Sequence, residues 1–233
     1  MRNLGAAQVD WRRPLASVAA TAHRRRPTVA SPRKSYKKSE ISRQQVLDAA
    51  VRTLAQRGLA KTSVSDIAEA AGMSKGAVHY HFESKDDLIA QVLAHCGRVM
   101  RDQVRRAWDE AGDPRDKMRF ALRQMRRARQ QGSAELRVLA DLMAQAIYDD
   151  KLRRLVADLF EIDRSDALHH IEQAALALGL EPRVPLRVLP RLLMAILDGL
   201  ALHDLFEPLP PGDDAIVQDA LESIALSLFE PRR

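Results

Sequence analysis

Cysteine is almost absent: Cys96 stands alone in 233 residues. That excludes a disulfide framework or a multi-cysteine zinc site within one chain and suits a reducing cytosol, so a cytoplasmic protein is expected. Aromatic residues make up only 4% of the chain, too few to support a multi-aromatic cage around a cation. No run of about 18 apolar residues occurs, so no membrane span is expected. From residue 40 onward there is no clear strand-like alternation of apolar and polar residues. A Ser/His/Asp arrangement, a phosphate-binding Gly loop and a supported pair of carboxylates are missing too. Neither an enzyme nor a cofactor is expected.

What the chain has is uneven charge. Residues 1–38 hold ten Lys/Arg and one acidic residue, net +9. Residues 39–90 come to −1, residues 91–131 to +6, and residues 132–233 to −8. The basic balance therefore belongs mostly to a tail, for which nucleic acid is a plausible partner. Three readings of residues 1–38 stand side by side. Pro14, Pro27 and Pro32 and the lack of helical period suit a disordered basic arm; the Arg-rich, acid-poor composition also fits a targeting segment; and a start codon set too far upstream would leave the same residues. As an arm, the segment would lie along the DNA backbone or in the minor groove.

From residue 40 the apolar spacing is helical almost throughout, about nine helices in all. Leu47, Ala50, Val51 and Leu54 mark a first helix ending at Gly58, with Ser39 or Ser42 as its cap. Short helices follow at 64–71, after Ser63, and at 74–81. A long one runs from Ser84 to about Glu110, and others occupy about 114–130, 133–148, 150–178, 188–206 and 213–229. The chain is expected to be all-α, with residues 39–88 forming one domain and residues 89–233 a second.

Residues 62–88 read TSVSDIAEAAGMSKGAVHYHFESKDDL. Placed on two helices meeting at Gly72, Ile67, Ala71, Met73 and Val78 point to one interior and Phe82 closes it. Ala68 is small enough for the helices to cross closely. Gly72 supplies the turn, where a left-handed backbone is cheap only for glycine. This is a helix-turn-helix. Its second helix is expected in the major groove, N-terminal residues nearest the base edges. Gly76 and Ala77 are small enough for close approach, and Ala77 suits a thymine methyl. Ser74 and Lys75 sit where free N–H groups attract phosphate. His79, Tyr80 and His81 are consecutive, so they share no face and do not make a metal site, which on a helix needs spacing of three or four. With Val78 and Phe82 inward, His79 and Tyr80 are left for the DNA.

The run AAVRTLAQRGLAKTSVSDIAEAAGMSKGAVHYHFESKDDL resembles the N-terminal DNA-binding domain of TetR-family regulators, and LLMAILDGLALHDLF looks like the dimerisation helix of the branch related to the choline-responsive BetI repressor. The resemblance implies a homodimeric, sequence-specific transcriptional regulator, most often a repressor, released from a palindromic operator by a small-molecule effector. It implies phosphate contacts from Tyr80, His81 and Lys85, and from Thr62 or Ser63. An effector-independent architectural DNA-binding protein is the alternative, using the same heads and the basic arm.

Residues 188–206 are apolar on most sides, and the last helix offers Val217, Ala220, Leu221, Ile224 and Leu228. Together they fit a four-helix homodimer interface. Candidate ligand contacts are Trp108, Met118, Met125, Tyr148, Phe160 and His169, each with a plain core role as its rival. Arg98, Arg101 and Arg105 lie in a stripe that begins about 20 Å beyond Lys85, too far for direct DNA contact. They and Arg119, Arg123, Arg126 and Arg127 read as solvated faces, with an anionic effector as the rival on the latter helix.

Overall fold

The computed structural model describes residues 32–110, 112–129 and 133–232. Residues 1–31, most of the basic tail, lie outside the described residues, so the arm is not placed. Among the described residues are nine α-helices: α1 (Pro32–Arg57), α2 (Val64–Ala70), α3 (Lys75–His81), α4 (Lys85–Glu110), α5 (Pro114–Arg127), α6 (Ala134–Ala146), α7 (Asp150–Ala177), α8 (Leu189–Phe206) and α9 (Asp213–Ser227). No helix among them is long and apolar enough to cross a membrane.

Two expectations need correction. The first helix begins at Pro32, so Ser39 and Ser42 are interior to it and not caps. The Ser42 hydroxyl instead donates to the Ser39 carbonyl at 2.9 Å. The chain is also not purely helical: β1 (Leu180–Pro182) pairs antiparallel with β2 (Phe229–Pro231), Glu181 opposite Glu230. Three-residue strands carry too little alternation to be seen in sequence.

From Ser39 onward the chain forms one compact unit. Val46, Leu47, Ile67, Val78, Phe82 and Leu88 make the centre of the head, and the same core continues into Val138, Leu139 and Leu142 of α6 and Val156 and Leu159 of α7. Burying a side chain of this size contributes about 1.5–3 kcal/mol. The core therefore has no gap at residue 88. Where α4 crosses α7, Gly97 is in contact: a Cβ there would land on Leu159 Cδ1.

The basic middle and the acidic C-terminal half find each other in space. Arg119 and Arg123 of α5 donate to Glu222 of α9 at 2.8 and 3.3 Å. Arg126 Nη2 reaches Asp214 at 2.7 Å, and Arg129 Nε reaches Asp198 of α8 at 2.6 Å. On α4, Arg101 pairs with Asp163 of α7, and Arg105 lies 3.7 Å from Asp166. Arg101, Arg123 and Arg126 are interhelical clamps, which corrects their reading as a solvated face; Arg105 and Arg119 are paired yet exposed, and Arg98 and Arg127 are exposed as well.

Candidate functional site

Local chemistry fixes α2 and α3. Ser63 caps α2: its hydroxyl accepts from Asp66 N–H at 3.2 Å and donates to Asp66 Oδ2 at 2.6 Å, while Ser63 N–H donates to the same carboxylate at 2.8 Å. These bonds, with Arg57 nearby, hold the Asp66 carboxyl below the usual carboxylate range. Gly72 makes the turn at φ +66°. Ser74 caps α3, accepting from Ala77 N–H at 3.1 Å. Ile67, Ala68, Val78 and Phe82 are buried between the helices, with Ala71 and Met73 against them.

Val78 anchors α3 inward, so the other face is turned out. Ser63, Ser74, Lys75, Gly76, His79 and Tyr80 are exposed and Ala77 is half-buried. Tyr80 is 79% exposed, a large ring whose only ring contact among the described residues is with His81, centroids 5.0 Å apart. A Cβ on Gly76 would meet only Ser74 Oγ, at 3.9 Å. Nothing within the described residues demands glycine there.

Three residues expected on this surface are placed otherwise. Thr62 is 2% exposed, and its hydroxyl donates to the Gly58 carbonyl at 2.7 Å, which closes the turn between α1 and α2. His81 faces back toward α1, with Nε2 2.8 Å from Ser42 Oγ. Lys85 Nζ donates to the Leu59 carbonyl at 3.3 Å and is half-buried. A single residue step, about 100° around the helix, separates outward Tyr80 from inward His81, and which neighbours α1 offered could not be read from the motif.

A second site lies between α4, α5, α7 and α8. It is a cavity of about 1020 Å³, counting the part open to solvent. Its wall is mostly apolar and includes four methionines, Met100, Met118, Met125 and Met194. Trp108 and His170 stand edge to face, ring centroids 4.8 Å apart. Four charged residues reach the wall, Arg101, Arg129, Asp163 and Asp166. Burial raises the Asp163 carboxyl above its usual value, against the lowering pull of Arg101.

Trp108, Met118 and Met125 therefore line the cavity. Tyr148, Phe160 and His169 are not. Tyr148 is 90% exposed in the turn before α7, Phe160 packs against the core continuous with the head, and His169 is exposed. The inward stripe of α7 is Asp163, Ala167, His170, Ile171 and Ala174. Its steps of three and four were present in the sequence, and they place His170, not His169, on the wall. Among the described residues no group of three His, Cys, Asp or Glu side chains is placed to hold a metal ion.

A third feature is apolar and uncovered. On α8, Leu192, Leu202 and Phe206 are exposed, in line with Ala195 and Gly199 at steps of three and four; on α9, Ile216 and Ile224 are exposed. The opposite side of α8 supplies buried Leu193, Met194 and Leu197.

Comparison with known proteins places these features. Residues 46–92 match the sequence model of "Bacterial regulatory proteins, tetR family", and residues 114–228 match that of "BetI-type transcriptional repressor, C-terminal". The chain is 29% identical over 193 residues to the HTH-type transcriptional regulator BetI of Paraburkholderia xenovorans, covering 81% of this chain and 94% of that protein. To AcrR of Shigella flexneri it is 40% identical over 60 residues, 26% of this chain and 28% of that protein. A TetR-family transcriptional regulator from Rhodococcus sp. superposes with a TM-score of 0.68 at 24% identity, over 81% of this chain and 98% of the other. The multidrug binding protein EbrR, complexed with imidazole, gives 0.57 at 21% identity, over 82% and 96%. The matched relatives are regulators of transcription and not enzymes. The chain belongs to the TetR family of bacterial transcriptional regulators and carries a BetI-type C-terminal domain.

Proposed function

We propose that the chain represses transcription as a cytoplasmic homodimer that holds a palindromic operator and releases it when a small molecule fills the cavity. The exposed ridge of α3 carries this reading: Tyr80 and His79 stand out beside Gly76, and the Tyr80 ring is 79% exposed although its edge meets His81. Lys75 and the N–H groups at the start of α3 grip phosphate. Ser63 and Ser74 add hydroxyls, and Ala77 with Gly76 lets the backbone approach base edges. Thr62 and His81 support the head from behind. Lys85 has ammonium hydrogens left over from its bond to Leu59 with which to reach a phosphate.

Two recognition helices must sit about 34–36 Å apart to read a palindrome. The exposed stripes of α8 and α9, paired with their own copies about a two-fold axis, would set that distance. The cavity wall includes Met100, Arg101, Val104 and Trp108 of α4, the helix that begins at Lys85 beneath the head. A ligand that fits only one position of α4 biases the spacing of the heads by its differential affinity for the two states. The matched relatives are regulators, which favours this reading over an architectural one.

The test is a footprint on DNA upstream of the protein's own gene. One short protected palindrome is expected. Tyr80→Ala weakens binding across operator variants, whereas substitution at Ala77 changes which variant is preferred. Broad, salt-sensitive protection without a defined site would overturn the proposal.

A further inference from the structure

The cavity between α4, α5, α7 and α8 is selective in charge as well as in shape, and this inference rests on its being the effector site. Its four charged wall residues sum to zero, and each already has an opposite partner. Arg101 holds Asp163, Arg129 Nε holds Asp198 at 2.6 Å, and Arg105 lies 3.7 Å from Asp166. A cation that took Asp163 would leave the Arg101 guanidinium unpaired in a largely buried setting, and an anion that took Arg101 would strand Asp163. Breaking one member out of a buried pair is unfavourable. The Trp108 face, which could otherwise take a cation, is occupied as well. Lys117 Nζ stands 5.7 Å from the Trp108 ring centroid and repels a second positive charge.

His170 on the wall has one ring nitrogen without a charged or hydrogen-bonding partner among the described residues. His170 Nδ1 is 2.8 Å from the Asp166 backbone carbonyl. A carbonyl only accepts, so Nδ1 carries the hydrogen. In the uncharged ring that leaves Nε2 as an acceptor, and among the described residues no side chain or backbone group supplies it with a proton. Around it are Trp108 and the methionine side chains, which are polarizable and adjust to irregular apolar shapes.

We infer that the effector is an uncharged, lipophilic molecule bearing a hydroxyl or phenolic O–H, which donates to His170 Nε2 while its apolar body packs against Trp108 and the methionines. The methionine lining predicts tolerance of shape, and the closed ion pairs predict intolerance of charge. The inference sets this cavity apart from a cage for quaternary ammonium.

Four probes of one skeleton test it: 4-propylphenol, 4-propylanisole, 4-propylbenzoate and (4-propylphenyl)trimethylammonium. Each is titrated at mildly alkaline pH into the full-length Trp11→Phe protein, with Trp108 fluorescence as the readout and calorimetry alongside. The phenol is expected to bind about tenfold more tightly than the anisole, the gain of one hydrogen bond, and both charged probes more weakly than either. His170→Phe should keep anisole binding and erase the phenol's advantage. Tightest binding by the ammonium or the benzoate would overturn the ligand class and leave the cavity as an effector site. Equal binding of phenol and anisole by the unaltered His170 protein would overturn the role of His170. If none of the four binds, this ligand class falls, while the repressor reading is judged separately by the operator footprint. The probe series in the protein with His170 intact decides these outcomes even if the His170 variant misfolds.

Discussion

The backbone N–H of Leu59 donates to the Asp141 carboxylate at 2.7 Å, across 82 positions of sequence. Leu59 lies in the turn between α1 and α2, and Asp141 lies on α6. The same carboxylate borders Gly58, whose φ of +75° opens that turn, and it also accepts from Gln145 at 2.9 Å. Lys85 takes the Leu59 carbonyl from the other side. A turn that orients the recognition helices is thus held at both backbone polar groups of Leu59, by α6 on one side and by the start of α4 on the other.

Asp141→Ala removes an acceptor from a partly buried N–H. The expected loss is about 1–3 kcal/mol of stability, read from the midpoint of urea unfolding. Asp141→Asn keeps an acceptor oxygen and should lose less. Equal stability of the alanine variant and the parent protein would show that Leu59 finds water instead.

Glu222 joins α9 to two arginines of α5 and accepts from Gln218 at 3.1 Å. Both arginines are more than a third exposed, so they can turn to solvent when the carboxylate is lost, and the cost is discounted accordingly. Glu222→Ala is expected to lower stability by about 1–2 kcal/mol, with an unchanged denaturant slope. Raising salt should narrow the gap between variant and parent; a gap that widens would contradict an ionic origin.

Gly76→Ala separates folding from DNA binding. The added methyl has space, and alanine favours a helix over glycine by up to ~1 kcal/mol, so thermal stability should hold or rise. Operator affinity should fall about tenfold or more, a loss of at least ~1.4 kcal/mol, because the methyl occupies room the DNA needs. A variant that binds the operator as well as the parent would remove Gly76 from the interface.

Leu202→Arg puts a charge in the middle of the exposed stripe of α8. Sedimentation equilibrium should give a monomer where the parent protein gives a dimer, and operator binding should fall with it. A dimer of undiminished stability would place the interface elsewhere.

Cys96 is 1% exposed, and burial pushes its thiol up to about 12. At pH 8 roughly one thiol in ten thousand is ionised, and only the thiolate reacts. Iodoacetamide is expected to leave the native protein unlabelled and to label it stoichiometrically in denaturant. Because the folded value is raised, Cys96 has no effect on the balance below the ordinary thiol range and disfavours the folded state above it, where the unfolded thiol gives up its proton first and draws the chain toward unfolding. Stability should therefore decline as pH climbs from about 9 toward 12. Rapid native labelling would show that the α4 core opens.

The helix-turn-helix was legible because its signals are local. A serine before a helix and a glycine forced to positive φ each act within one turn of chain, and Ser63 and Gly72 do what their positions implied. The helix order was legible for the same reason, from spacing and breaks. Where several roles fitted one residue, sequence could not choose. Thr62 and Ser63 are adjacent hydroxyls, yet one is buried on Gly58 and the other exposed. His169 and His170 differ by a rotation of about 100° on a helix, and only packing against α4 decides which ring meets the cavity.

The sequence by itself determined the helices, their caps and turns, the recognition motif and the family, because these depend on neighbours a few residues apart. Tertiary structure alone decided the meaning of the charge. Taken in order along the chain, a basic middle and an acidic end look like separate surfaces for separate partners. Folded, Arg119, Arg123, Arg126 and Arg129 meet Glu222, Asp214 and Asp198, and Arg101 meets Asp163. A charge acts on whatever lies within a few ångströms, and chain order does not record that distance.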